Sequence, residues 1–304
     1  MTTQTEVWRE LRDRLLEHRI LVESGVPGVF GRSATFEKIL AGIQSAIGRV
    51  AENDGAELMR FSPVLPRQVL RQTGYMENFP HLCGSVHAFS GDGAQHLALV
   101  DRVKAGGDWT QFLKQTEVAL TPAACYPLYP TLRGRLPQGG RLFDVTGDCF
   151  RHEPSDDPAR MQSFRMREHI RLGAPQDVQA WRSKWVERGE RLLARFGLAP
   201  QKAVASDPFF GRGGKIMKTN QAALELKFEM LVPIATPDAP TAVASFNYHQ
   251  DHFGKTFGIE DASGAPAHTA CMGFGLERVT LAMLVAHGMN VAAWPAAVKS
   301  ELWP

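Results

Sequence analysis

The chain has 304 residues, 44% of them hydrophobic and 22% charged, with a formal net charge of +2. That is an ordinary globular composition, long enough to bury a core as one large domain or two small ones. It leaves out low-complexity and fibrous classes, and by itself it gives no case for a nucleic-acid binder, whose domains show a strong basic stripe.

Residues 1–19 alternate charges, with Glu6, Arg9, Glu10, Arg12, Asp13, Arg14 and Glu17, and no apolar core follows a basic start. No secretory signal is therefore expected, and the cytoplasm is the expected compartment. Residues 36–53 place Phe36, Ile39, Leu40, Ile43, Ala46, Ile47 and Val50 at helical spacing, which predicts an amphipathic helix ending at the Asp54-Gly55 turn. Residues 57–63 read as a strand running into proline, and residues 69–75 as a short helix. Residues 142–151 and 164–172 are strand-like, and the polar, proline-broken stretch between them predicts an antiparallel hairpin.

Residues 177–196 form a helix with Val178, Trp181, Trp185, Leu192, Leu193 and Phe196 on one face. Arg182, Lys184, Arg188, Arg191 and Arg195 lie on the other. Residues 209–218, with Gly211, Gly213 and Gly214 beside Arg212, Lys215 and Lys218, read as a mobile basic loop; no Gly-Lys-Ser/Thr phosphate loop is present. Residues 224–234 and 241–248 read as strands, and residues 273–287 begin glycine-rich and continue as an apolar helix. The apolar stretch 281–298 is broken by His287, Gly288, Asn290 and Pro295, so no membrane span is expected. Long helices and runs of strands joined by hairpin signals, without regular strand–helix alternation, predict an α+β fold with an antiparallel sheet.

Arg151, Arg160, Arg165, Arg167 and Arg278 are the chemical signal. Singly, each reads as a solvated surface charge. As a set they flank a hairpin and a glycine-rich helix start. Arginine offers a permanent charge and a planar fork of donors to phosphate oxygens, and rigid strands and helix starts keep it preorganised.

The stretches Phe150-Arg151-His152-Glu153 and Phe164-Arg165-Met166-Arg167-Glu168 resemble motif 2 of class II aminoacyl-tRNA synthetases. Gly273-Phe274-Gly275-Leu276-Glu277-Arg278 resembles their motif 3, and Arg60-Phe61-Ser62-Pro63-Val64-Leu65 after a long helix resembles motif 1. The resemblance implies a class II synthetase-like antiparallel sheet flanked by helices, and a homodimer built on motif 1. It implies that Arg151 holds the α-phosphate of ATP and the substrate carboxylate, that Glu153 reads the adenine amino group, and that Arg160, with Met161 beside it, meets the γ-phosphate. Phe164 would stack under adenine and Arg278 would cover it. Lys227, Glu229 and Ala242, Val243, Ala244 and Ser245 would border the nucleotide. Seryl-type enzymes place a metal-binding glutamate near the position of Thr241, where this chain has none, although magnesium is still expected with ATP.

The four cysteines, Cys83, Cys125, Cys149 and Cys271, stand far apart with no CxxC. A lone cysteine is ordinarily a small buried apolar residue, the reading kept for Cys83 and Cys149. Local spacing does not pair Cys125 with Cys271. The pairing comes from a resemblance to zinc-dependent, methanogen-type seryl-tRNA synthetases, which use Cys, Glu and Cys at the places of Cys125, Glu168 and Cys271. Three such ligands leave a fourth zinc position open, able to take a substrate amine. Glu168 and Asn247 would meet the amino acid; His152, His169, His249, His252 and His268 are the alternative ligands.

Only about 35 residues precede the first core helix, too few for the tRNA-binding arm of seryl-tRNA synthetases. The expected organisation is one catalytic domain over residues 1–304, with residues 1–35 an N-terminal extension. Such a core resembles the amino acid:[carrier protein] ligases, as do residues 121–127, 207–212 and 245–249. That implies activation of a small amino acid, glycine before alanine, and its transfer to a carrier protein's phosphopantetheine thiol. The basic face of residues 182–195, or the 209–218 loop, would dock the acidic carrier. The competing readings are a truncated seryl-type enzyme charging tRNA and a catalytically silent synthetase-like module.

Overall fold

The computed structural model describes residues 3–304, except for the side chains of residues 212 and 213, so the expected docking role of Arg212 lies outside the described residues. Helix α1 (Gln4–Glu17) starts at a reciprocal cap, Thr3 with Glu6, and buries Leu11 and Leu15. Helix α2 (Ala34–Ala51) is capped by Ser33 and buries the predicted stripe from Phe36 to Ile47. Full burial of each large apolar side chain there contributes about 1.5–3 kcal/mol. A charge at Ile43, which is fully buried, would break that contact. A short 3-10 turn and Gly55, at φ +67°, end the run.

The centre of the molecule is a seven-stranded sheet. Its strands are β1 (Glu57–Met59), β2 (Arg141–Phe150), β3 (Ser163–Gly173), β4 (Gln201–Val204), β5 (Lys227–Val232), β6 (Thr241–Gln250) and β7 (His268–Gly275). The spatial order is β4-β5-β6-β7-β3-β2-β1, with every pairing antiparallel except β1 against β2. The β2–β3 pair is the predicted hairpin, in register from Arg141↔Leu172 to Phe150↔Ser163.

Side chains alternate between the faces of a sheet. One face carries Met230, Phe246, Met272 and Phe274, packed with α2, α3 (Pro175–Arg195) and α5 (Leu276–His287). Gly189 lets α3 close on the sheet, since a Cβ there would lie 2.6 Å from the Phe246 ring. The other face carries Phe143, Val145, Ile170 and Leu172 under residues 120–136 and the helices Arg67–Gln72 and His252–Phe257.

Four local expectations change. The 57–63 strand stops at Met59, and Val64–Pro66 joins a separate three-stranded sheet with Ser85–Phe89 and Leu113–Leu120. The 69–75 helix divides into Arg67–Gln72 and Tyr75–Asn78, because Gly74 between them takes φ +69°. Residues 211–218 belong to helix α4 (Gly211–Ala223). Leu224 caps that helix, Glu225 takes φ +47°, and the strand expected from 224 begins at Lys227. No helix among the described residues is long and apolar enough to cross a membrane.

Candidate active site

Register places the site. Glu229, Ser245, Gly273 and Glu168 lie in one row across β5, β6, β7 and β3, and Lys227, Asn247, Cys271 and Ile170 in the next row on the same face. A Cβ at Gly273 would lie 3.2 Å from the Glu168 side chain, so a residue without one leaves that carboxylate its place. Cys125 comes from the turn-rich stretch after Leu113–Leu120, where its carbonyl accepts from the Leu128 N–H. The sulfurs of Cys125 and Cys271 and a carboxylate oxygen of Glu168 all lie within 4.8 Å of one another. Among the described residues no other cluster of three or more His, Cys, Asp or Glu side chains is as tight.

The trio is buried, with exposures of 4%, 1% and 4% for Cys125, Glu168 and Cys271. Burial, together with the neighbouring Cys271, pushes Glu168 up to about 8 even though its Oε1 accepts from the Ala124 N–H at 2.7 Å. Contact between the sulfurs splits them: Cys125 is pushed up, and Cys271 is drawn down by Cys125, His249 and Asn247. Asn247 Nδ2 lies 3.5 Å and His249 Nε2 3.7 Å from Cys271 Sγ. The Tyr129 hydroxyl is buried without a partner, and burial and this trio push it up. Two thiols and a carboxyl, buried together, are costly as free anions. Such a donor set could hold a divalent ion, and the softness of the sulfurs would suit zinc.

The arginine cradle adjoins the trio. The Arg151 Nε donates to the Pro122 carbonyl at 3.1 Å, and its guanidinium sits 5.4 Å from the centre of the Phe164 ring. Arg278 donates to the carbonyls of Ala159 at 2.8 Å and Ala242 at 3.0 Å. Burial and the neighbouring Arg151 and Arg160 draw Arg278 down, because like charges converge there. Arg160 bonds Glu153 at 3.1 Å. Lys227 bridges Asp207 at 2.7 Å and Glu229 at 2.9 Å, and holds Asp207 below its ordinary range against the effect of burial.

Other expected site residues are placed elsewhere. Strand alternation turns Arg165 and Arg167 to the helix face. Arg165 binds Glu37 and Glu277 there, and Arg167 binds Asp144, its Nε at 3.0 Å. Neither belongs to the phosphate set. Met161, Val243 and Ala244 bury their side chains in the helix-side core. His169 is fully buried on that face against Trp185, and His268 pairs with Tyr248. The basic face of α3 is largely neutralised: Arg188 pairs with Asp54, Arg191 with Glu187 and Arg195 with Glu301, while Arg182 donates to the Glu225 carbonyl. Cys83 is half-buried and Cys149 buried, both free.

Sequence reasoning missed the N-terminal contribution. Gln162 donates to the carbonyls of Pro27 and, through its N–H, Gly28, each at 2.8 Å, and Arg9 and Arg12 grip Asp156, so residues 9–28 bracket the 152–162 loop. The charge alternation of α1 was the available signal. It also missed Glu277, 2% exposed, whose carboxylate accepts from the Arg165 N–H at 2.7 Å and faces Arg32 at 3.4 Å.

No family model matches the chain. An amino acid--[acyl-carrier-protein] ligase 2 of Bradyrhizobium diazoefficiens is 48% identical over 282 residues, 92% of this chain and 84% of that protein. A type-2 serine--tRNA ligase of Methanopyrus kandleri is 27% identical over 64% of this chain and 40% of its own length. The M. kandleri SerRS structure, solved with A. aeolicus tRNASec, superposes at TM-score 0.81 and 20% identity, covering 96% of this chain and 60% of that one. The fold is therefore that of a class II aminoacyl-tRNA synthetase. Within that class, the chain belongs to the amino acid--[acyl-carrier-protein] ligase family, and it is a ligase.

Proposed function

We propose that this ligase activates a small amino acid with ATP and passes it to the phosphopantetheine thiol of a carrier protein. Glycine is preferred to alanine. The observation that carries the reading is the convergence of Cys125, Glu168 and Cys271 beside the half-buried pair Arg151 and Arg278. Cys125, Glu168 and Cys271 would hold zinc, which when bound offers an open position to a neutral amine and so selects an amino acid. The close burial of the trio under Tyr129 supports the smallest side chain, although one methylene is worth only about 1–3 kcal/mol in such pockets.

In the first half-reaction the amino acid's carboxylate attacks the α-phosphorus of ATP, and pyrophosphate leaves with its magnesium. Arg151, held by the Pro122 carbonyl, meets the charge that develops on the α-phosphate. Arg278 is fixed by two carbonyls and Arg160 is held on the loop by Glu153, so they receive the adenine side and the γ-phosphate. Glu153 reads the adenine amino group, Phe164 stacks below the ring, and Lys227, Glu229, Ser245 and the main chain of residues 242–244 border the nucleotide. Asn247 and Glu168 face the amino acid. In the second half-reaction the carrier's thiol attacks the adenylate carbonyl, forming a thioester and releasing AMP, whose phosphate can accept the thiol proton.

Helix α4 is the better docking face for an acidic carrier. It shows Lys215 and Lys218, both exposed, beside Ile216 at 67% exposure and Met217 at 40%. The open groove over Ala41, Ser45 and Gly48 of α2, with edge strand β1, supports a homodimer across motif 1. A cytoplasmic enzyme fits this chemistry.

Amino-acid-dependent ATP–pyrophosphate exchange, run in excess magnesium across all amino acids with and without a zinc-selective chelator, tests the reading. Exchange with glycine that the chelator abolishes is expected, followed by a glycyl mass gain on a holo carrier protein. Absence of exchange with every amino acid would end the proposal; charging of tRNA instead of the carrier would favour the seryl-type alternative.

A further inference from the structure

We propose that His249 is a positioning residue for the Cys271 sulfur, donating from Nε2 to Sγ while the Thr269 hydroxyl donates to Nδ1 and fixes that tautomer. The inference rests on the metal reading of Cys125, Glu168 and Cys271 given above.

A break in strand pairing puts His249 there. Strands β6 and β7 run in register from Ala244↔Phe274 to Tyr248↔Ala270, and then the partner of Thr269 is Gln250. His249 is the extra, unpaired residue of this bulge, and Gln250 takes φ +53° to absorb it. Bulges of this kind re-aim a side chain beside active sites. The ring is then held on three sides. Its Nδ1 lies 3.0 Å from Thr269 Oγ1, and it stands edge-on to Phe253 at 5.0 Å and to Tyr129 at 6.3 Å. Its free nitrogen, Nε2, points at Cys271 Sγ from 3.7 Å. Thr269 is fully buried, so its hydroxyl proton has no solvent to turn to.

The chemistry gives this contact a use. Two thiolates and a carboxylate around a dication carry a net negative charge in a buried place, and donors to the sulfurs spread it. Glu168 already takes the Ala124 N–H, and Cys271 takes Asn247. His249 adds a second, directional donor to Cys271. Outer partners of this sort change metal affinity by about 10–100-fold when removed.

The test uses the full chain, zinc competition against a chromogenic chelator, and the sulfur-to-metal charge-transfer band after cobalt substitution. His249→Phe keeps the aromatic packing and loses the donor. Its zinc affinity should fall about 10–100-fold and its cobalt band should shift, with four-coordinate intensity kept. His249→Gln, which restores an N–H, should recover most of the affinity, and Thr269→Val should lose less than His249→Phe. Thermal unfolding of the metal-free variants separates misfolding from weaker binding, and Thr269→Val carries the test if His249→Phe does not fold. Wild-type affinity and an unmoved band in His249→Phe overturn the inference alone. So does a cobalt spectrum in which the substitution removes a nitrogen ligand, since His249 would then bind the metal directly. A wild-type chain that binds no metal removes the underlying reading, and this inference with it.

Discussion

Arg12 of α1 meets Asp156 at 2.8 Å across 144 residues of sequence, and Arg9 holds the other carboxylate oxygen at the same distance. The N-terminal helix thus grips the loop that carries Glu153 and Arg160. Asp156→Asn should raise KM for ATP by up to about fivefold, the effect of an exposed ion pair worth 0.2–1 kcal/mol. KM for the amino acid should stay where it is. Exchange kinetics with each substrate varied in turn would show the split, and an equal change in both constants would speak against the grip.

Arg151 and Arg278 should behave as a pair of fixed charges. Arg151→Lys keeps one charge and loses the fork, so exchange should fall about 10²–10³-fold, the range seen when one preorganised donor is removed. Far-ultraviolet circular dichroism should be unchanged. By contrast, Arg167→Lys should lower stability and leave the exchange rate of the folded fraction nearly intact, because Arg167 faces the helices.

Cys271→Ser should abolish bound metal as read by mass spectrometry of the native protein, and Cys83→Ser should not. Equal metal content in the two variants would contradict the assignment of ligands.

Asp144 contributes to the pH dependence of folding. Burial alone would raise its carboxyl, but contact with His169 and Arg167 holds it well below the usual carboxylate range. A depressed folded-state value adds stability above the unfolded value of about 3.9, and that stability is lost as pH falls from there toward the folded value. Denaturant titrations from pH 7 down to pH 3 should therefore show the wild type losing stability below about pH 4. Asp144→Asn, destabilised by about 3 kcal/mol at pH 7 by the unpaired Arg167, should close on it.

What the sequence made legible follows from periodicity and punctuation. Helix α2 announced itself by its stripe, and the β2–β3 hairpin by two alternating runs around a proline-broken loop. The arginines were visible but not their direction, because composition cannot say which residue of an alternating pair faces the ligand. Register against β7 decides that Glu168 meets Gly273 on the site face while Arg167 meets Phe274 among the helices. Helix α4 was hidden by the glycines at its start, which read as a loop until Lys215 to Ala223 continue the turn. His249 depended on a bulge, which no single-strand pattern encodes. Cys125 and Cys271 stand 146 residues apart, so only resemblance joined them before the fold did.

Strand β3 carries Phe164 and Glu168 on the face of the candidate site, and Arg165, Arg167 and His169 on the face of the helices. The two jobs are interleaved one residue apart. Point changes can therefore alter one face without loosening the other, but the insertion of a single amino acid between Ser163 and Glu168 would turn every residue on one side of it to the opposite face. This short segment should tolerate replacement far better than any change in its length.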